Sequence, residues 1–423
     1  MAQQMPVEEG TGVPEPTGPG TLAGRYLRRF WQPIYHAADL APGRIVPLRI
    51  MGQDFALYRG EGGAPHLMDP RCPHRGTQLS AGWIEGDCLR CFYHGWKYDA
   101  DGRCVEQPTE DSAFAHKVSI RSYPVRDYLG LVFAWLGEGD GPPEFPRHPE
   151  FERFAGMIEV DSYLRECNYF QNLENALDMS HVWFVHADNR ASFSGIGHGG
   201  RLEAPESNWG VSYTFIRADG ARRTQQFGMP NLYYMTALPN DPEIGFQESL
   251  FWWVPIDDGR HMQFSLHRVP AAGETGRRIR ERRQQRRSEI DLPHQRVAID
   301  VLKGRLPLSA VDKRRVDLVR LQDDIAQQGQ GRIADRGAER LGRGDVGVIA
   351  IRKLWARELK ALAAGRPLKP WRRDQDIHPI VWGISGALPR DSGAGSEGAP
   401  EIVDVRPHVE IGIQLAALHG EDG

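Results

Sequence analysis

Cysteine is scarce, with five residues in a chain of 423. That excludes a small disulfide-stapled scaffold and leaves the cysteines as ligands or buried thiols in a reducing compartment. Long apolar runs are missing, and no stretch approaches the roughly 20 residues that a membrane helix needs. Neither sign of charge dominates. With 52 Lys and Arg against 56 Asp and Glu the net charge is -4, which gives no electrostatic reason to expect nucleic acid or a membrane surface. The opening residues lack the basic-then-apolar order of a secretory signal, so the expected location is cytoplasmic. No Gly-x-Gly-x-x-Gly turn follows a strand-like run, and no further cysteine pairs remain for a plant-type ferredoxin.

The length predicts more than one domain. Residues 1–20, rich in Gly, Pro and Glu, read as a disordered tail. A short helix is predicted from Thr21 to about Trp31. From Ile45 to about Leu136, short β-type runs alternate with turn residues, giving an all-β domain over 21–150 that ends in a Pro/Gly-rich linker, Gly139–Pro149. A second domain is assigned to 151–385. It opens with a helical pattern at Asn168–His186 and continues with strands at Gly210–Ile216, Asn231–Ala237, Ser249–Ile256 and His261–Val269. In the last strand Met262, Phe264 and Leu266 alternate with His261, Gln263 and Ser265, which predicts one buried face. Helices are predicted at Val311–Gln328 and Val346–Leu362, so this domain is α+β. Residues 386–423 are taken as a C-terminal extension. The basic run Arg277–Arg287 has two readings: a solvated, mobile excursion, or a docking patch for an acidic electron donor or a neighbouring subunit.

The strongest local signal is CPHRG…CFYHGWKYD. Cys72 and His74 form a C-x-H pair, Cys91 and His94 form a C-x2-H pair, and 16 residues (75–90) separate them. Two thiolates and two imidazoles can hold a [2Fe–2S] cluster, the cysteines on one iron and the histidines on the other. Gly76 and Gly95 allow the backbone to approach such a cluster closely. A structural zinc site uses the same residue types at different spacings. Cys88, Cys104 and Cys167 are given no cluster role. From about Trp31 to Glu150 the chain resembles the Rieske domain of ring-hydroxylating oxygenases, with Arg75-Gly76, Phe92-Tyr93 and Gly95-Trp96-Lys97-Tyr98 flanking the ligand positions. The respiratory Rieske proteins carry an additional cysteine in each cluster loop, which this chain lacks.

The second signal is NLENALDMSHVWFVH, where Asp178, His181 and His186 stand as D-x2-H-x4-H. Asp178 and His181 share a helix face. His186, five beyond His181, can join them only if the helix distorts or ends. Two histidines and one carboxylate on one side of Fe(II) leave positions open for O2 and substrate; ordinary buried histidines are the plainer alternative. This stretch resembles the catalytic signature of the same family. There the residue matching Asp178 is not a ligand; it bridges the iron histidine to a cluster histidine of a neighbouring subunit. The segment from Leu321 to Asp345 resembles the phthalate-dioxygenase-like motif in which the aspartate of a Gln-Asp pair completes the iron site, which maps to Asp323. Spacing alone does not separate Asp323 from the adjacent Asp324.

The resemblance implies a Rieske [2Fe–2S] cluster and a mononuclear Fe(II). It also implies an N-terminal all-β Rieske domain with a C-terminal helix-grip catalytic domain, an antiparallel sheet with helices. Assembly is expected to be a homotrimer in which His94 of one subunit meets Asp178 and His181 of the next. The chain looks most like the phthalate-dioxygenase and aryl O-demethylase branch. The implied reaction is O-demethylation of a methoxylated, lignin-derived, biphenyl-type aromatic acid with release of formaldehyde. The alternatives are ring hydroxylation or cis-dihydroxylation of a phthalate-like acid, and a Rieske electron-transfer protein without catalytic iron. Pocket walls are expected from Phe251–Trp253 and from the helix bearing Phe184.

Overall fold

The computed structural model describes residues 16–139, 141–189, 200–239, 246–373, 381–382 and 399–420. In the N-terminal third, short runs broken by glycine turns form three small sheets. Trp31–His36 pairs with Leu131–Trp135, which pairs in turn with Val125–Tyr128. Ile45–Ile50, Gln53–Arg59, Pro65–Met68 and Ser122–Tyr123 make the second sheet. Trp83–Glu85, Cys88–Arg90, Lys97–Tyr98 and Cys104–Glu106 make the third. The first helix is shorter than predicted. It spans Leu22–Leu27, with the Thr21 hydroxyl accepting from the Gly24 N–H, and Trp31 already opens a strand.

The rest of the chain builds a nine-stranded sheet covered by helices. Its strands follow the order Arg201–Glu203, Gly210–Ile216, Arg222–Gly228, Leu232–Pro239, Phe246–Asp257, Arg260–Val269, Met157–Arg165 and Glu401–Asp404, with Val381–Trp382 beside Arg222–Gly228. Neighbours are antiparallel except for the last pair, Met157–Arg165 with Glu401–Asp404. The helices Leu318–Gln328 and Val346–Ala363 match the predicted pattern, although the first starts seven residues later than Val311. This is the expected α+β arrangement of an all-β unit and a sheet-plus-helix unit.

Four expectations need correction. Residues 16–20 are not a loose tail: Thr17 is fully buried, and its N–H and hydroxyl both donate to Asp258. The stretch 141–149 is not a free linker, because Phe145 is buried and the Pro143 carbonyl accepts from the Trp31 indole at 2.9 Å. The basic run is an ordered helix, Gly273–Ser288, with Ile279 buried beneath it. The strand Arg260–Val269 is buried on both faces. It lies inside the sheet rather than at a wet surface, and its polar face is covered by helices.

The other sheet face is apolar. Leu250, Trp252, Val254, Met262, Phe264 and Leu266 belong to one continuous core with Tyr35, Leu57 and Phe133 of the small sheets. Phe133 and Trp252 meet edge-on at 5.6 Å, as do Tyr26 and Trp355 at 5.1 Å. The C-terminal segment is integrated as well: the Gln414 carboxamide bonds both the hydroxyl and the carbonyl of Ser162.

Candidate metal centres

Two loops of one design carry the first constellation. In each, the cysteine N–H bonds a carbonyl five residues on, Cys72 to Thr77 and Cys91 to Trp96, and a glycine N–H returns to the cysteine carbonyl. Those glycines have φ of +75° at Gly76 and +72° at Gly95, which an L side chain adopts only under strain. The second loop closes the hairpin between Cys88–Arg90 and Lys97–Tyr98. Cys72 and Cys91 are buried among Leu79, Ile84, Leu89 and Trp96. His74 and His94 lie at the outer rim, ring centroids 4.4 Å apart, and His74 stacks flat on Trp96.

Burial pushes the Cys91 thiol up, and the adjacent Cys72 adds to the push, so two thiolates here require a cation between them. The Tyr98 hydroxyl lies 3.1 Å from Cys72 Sγ, placed to donate to a thiolate. The four side chains do not converge as a single-ion site would. Among the described residues, a group of three donors within 4.8 Å of one another occurs at His181, His186 and Asp323. Sulfur donors inside and imidazoles outside fit a two-iron cluster better than one tetrahedral zinc. Cys88, Cys104 and Cys167 lie outside both loops.

The second constellation depends on a broken helix. Asn168 caps Tyr169–Ala176 through its side-chain oxygen, and a second short helix, Ser180–Val185, follows the break at Leu177–Met179. At the break the Tyr213 hydroxyl accepts the Met179 N–H and the Asp178 carboxylate accepts the Ser180 N–H. His186 has already left the helix, with φ -100° and ψ 32°. The distortion that a five-residue spacing demands is therefore present.

Leu318–Gln328 supplies the rest. His186 Nε2 lies 3.4 Å and His181 Nε2 3.7 Å from Asp323 Oδ1. Each imidazole spends its other nitrogen on an acceptor: His186 Nδ1–H donates to Gln322 Oε1 at 2.9 Å, and His181 Nδ1–H to the Asp178 carbonyl. Both rings thus present an Nε2 lone pair toward the carboxylate, as metal-binding histidines do. Asn175 also donates to Asp323 Oδ1. When the imidazoles are protonated, burial would raise the Asp323 carboxyl, but a His186 Nε2–H donated to it and the His186, His181 and Arg165 charges hold it at about 2; a metal ion would take the place of those Nε2 protons. Asp324 faces the other way. It is fully buried, bonded to Arg165 Nε at 2.6 Å and His294 Nδ1 at 2.5 Å. The structure thus brings Asp323, and not Asp324, to the two histidines.

Asp178 stays outside the triad, on an open cleft of about 450 Å³ shared with Glu174, Asn175, Glu339 and Arg352. Of the expected pocket walls, Phe251 and Trp253 stack at 6.3 Å on the helix-covered sheet face. Trp252, between them on the strand, points to the other sheet face, where it meets Phe133, and Phe184 is 67% exposed, so it lines no interior of this chain. Sequence reasoning missed the supporting side chains Asn175, Gln322 and Arg165. Gln322 was signalled by its place beside Asp323. Arg165 had no local signal, because its partners Asn172 and Asp324 come from two other elements.

Residues 30–124 match the Rieske [2Fe-2S] domain model. The chain is 32% identical over 379 residues, 86% of itself and 83% of the relative, to the 5,5'-dehydrodivanillate O-demethylase oxygenase subunit of Sphingobium sp. (strain NBRC 103272 / SYK-6). It is 29% identical over 382 residues, 84% and 87% of the two chains, to phenoxybenzoate dioxygenase subunit alpha of Ectopseudomonas oleovorans. In fold it is similar to the oxygenase in an oxygenase–ferredoxin complex of carbazole 1,9a-dioxygenase, with TM-score 0.55, 19% identity, and 80% of this chain and 92% of that one covered. From the cluster loops, the iron-binding chemistry of the second site and this relatedness over most of its length, the chain belongs to the Rieske non-haem iron aromatic oxygenases, as the oxygenase (alpha) subunit that uses a [2Fe–2S] cluster and a mononuclear iron.

Proposed function

We propose that this oxygenase O-demethylates a methoxylated, lignin-derived aromatic acid of the biphenyl type, releasing formaldehyde and a phenol. What carries the reading is the triad of His181, His186 and Asp323, with the stacked pair Phe251 and Trp253 on the helix-covered sheet face read as the wall of the substrate pocket. The similarity to an O-demethylase oxygenase subunit over most of both chains supports it. In this reading Cys72, Cys91, His74 and His94 hold the cluster, and His181, His186 and Asp323 hold the iron. When bound, these groups supply single electrons and the reduction of O2.

The residues of the chain do the rest. Gln322 and the Asp178 carbonyl fix the two imidazoles, and the ionised Asp323 completes a facial set that leaves one side open. Phe251 and Trp253 hold an aromatic ring flat, so that the methoxy carbon rather than the ring faces that side. Hydroxylation of the methyl C–H gives a hemiacetal, which collapses to formaldehyde and the phenol. Asp178, on its open cleft, carries the contact from a neighbouring subunit's His94 in a head-to-tail trimer, with a separate ferredoxin or reductase as donor.

Ring hydroxylation or cis-dihydroxylation of an aromatic acid is the second reading, supported by the similarity to a phenoxybenzoate dioxygenase. A single turnover separates the two. Reduced protein is mixed with O2 and a panel of methoxylated and carboxylated aromatics. Formaldehyde with a matching phenol supports O-demethylation. A ring diol or ring phenol without formaldehyde rejects it.

A further inference from the structure

The two cluster loops share a device that only one of them tightens. In both, an arginine stands directly before the cysteine, Arg71 before Cys72 and Arg90 before Cys91, and its guanidinium donates to the carbonyl of the loop glycine. Arg71 is exposed and reaches the Gly76 carbonyl at 3.3 Å. Arg90 is held: its side chain is 12% exposed, and Nη1 lies 2.6 Å from the Gly95 carbonyl.

The strands explain the difference. Trp83, Arg90, Lys97 and Glu106 stand opposite one another across four antiparallel strands, and alternation puts Glu85 on the same face as Trp83. The other face carries Ile84, Leu89, Tyr98 and Cys104 into the core around the cluster cysteines. Glu85 accepts from Arg90 Nε at 2.7 Å and from Nη2 at 2.8 Å. Glu106 accepts from Nη1 at 3.0 Å and from Nη2 at 2.8 Å. Together with the Gly95 carbonyl they take up all the N–H donors of a guanidinium. Lys97 lies 3.5 Å from Glu85 and 3.0 Å from Glu106, so the two cations are matched by two carboxylates. The planar fork is rigid, and through it the loop carbonyl is fixed to the strands on both sides.

Gly95 follows His94 directly, and the loop tip before it is open. Phe92 is 68% and Tyr93 50% exposed. The rings beside His94 are His74 at 4.4 Å and Tyr93 at 3.8 Å. The frame of the domain therefore holds the loop at the glycine next to the histidine. Arg90 bonds its carbonyl, and Pro108 packs on it so closely that a Cβ would meet Pro108 Cγ at 3.2 Å.

We propose that Arg90 is a positioning residue for electron transfer. It fixes the Cys91–Trp96 loop so that His94 presents its ring to a neighbouring subunit, whereas Arg71 leaves the other loop more loosely held. The inference rests on the reading that electrons leave the cluster through His94, and adds to it what keeps that exit in place.

The test is stopped-flow reoxidation of the reduced holoenzyme, followed by the visible absorption of the cluster. The protein is mixed with O2 and the panel of methoxylated and carboxylated aromatics, and the compound that reoxidises the wild type fastest serves for every variant. Arg90→Met is expected to keep the cluster irons and the Rieske electron paramagnetic resonance signal. Its reoxidation should slow by about tenfold or more, since a displacement of about 1 Å at a reacting group can cost far more than that. Arg90→Lys keeps the charge but not the fork, and is expected to slow reoxidation with the reduction potential unchanged. Lys97→Met removes a positive charge from the same group without touching Gly95, and Arg71→Met frees the other loop. Both are expected to reoxidise close to the wild-type rate. Wild-type rates in both Arg90 variants would overturn the assignment. Slowing in Lys97→Met equal to that in Arg90→Met would also overturn it, by making the effect one of charge. Loss of the cluster from both Arg90 variants would do the same, by making Arg90 a residue of the fold alone. Asp178→Asn, run alongside, separates this inference from the reading beneath it. Fast reoxidation in that variant removes the exit through His94 itself, whereas slow reoxidation there with fast Arg90 variants sinks the positioning role alone.

Discussion

At the scale of single residues, two adjacent aspartates have opposite duties. Asp323 faces the histidines, whereas Asp324 is locked between Arg165 and His294. Asp323→Ala is therefore expected to lose the mononuclear iron and keep the cluster, leaving two irons per chain and an intact Rieske electron paramagnetic resonance signal. Asp324→Ala should instead unfold more easily, because it strands a buried Arg165; breaking such a pair typically costs about 3–5 kcal/mol, read as a fall in denaturation midpoint. Asp178→Asn is expected to keep all three irons and lose nearly all turnover, because the residue lies outside the triad. Retained activity in that variant would remove the bridging role. The cluster cysteines and histidines were legible because C-x-H and C-x2-H are short-range patterns. The choice between Asp323 and Asp324 was not legible from spacing, since both sit on one helical turn and only the packing of Arg165 against Asp324 separates them.

At the scale of elements, Leu318–Gln328 sends three consecutive side chains in three directions: Gln322 to His186, Asp323 to the triad and Asp324 to the core. Successive residues on a helix are turned by about 100°, which makes this possible. Gln322→Leu removes the acceptor that orients His186, and is expected to weaken Fe(II) binding by about 10–100-fold with little change in Tm; a titration of the iron-free protein checks this. The break between the Tyr169–Ala176 and Ser180–Val185 helices could be read from the five-residue spacing of the histidines. The double burial of Arg260–Val269 could not. Alternation of His261, Gln263 and Ser265 with apolar residues looks the same whether the polar face meets water or a lid of helices.

At the scale of the whole molecule, burial holds four histidines neutral: His36 at about 4, His148 at about 3, His261 at about 3 and His267 at about 4. The unfolded chain protonates each of them near 6.5. Between pH 6.5 and about 4 it therefore takes up protons that the folded chain refuses. Stability must fall as the pH falls through this window, by up to about 1.4 kcal/mol per pH unit for each histidine. Denaturant midpoints at pH 7 and pH 5 test this, and His148→Gln should flatten the slope.

The shared core of Phe133 with Trp252 and Tyr26 with Trp355 bears on how such proteins can be recombined. An electron-carrying half cut at residue 150 and joined to a relative's oxygen-activating half would bring aromatic edges to a seam shaped for different partners. Domain shuffling by a simple splice should therefore yield insoluble hybrids. Hybrids that transplant both rings of each contact together with the half should fold.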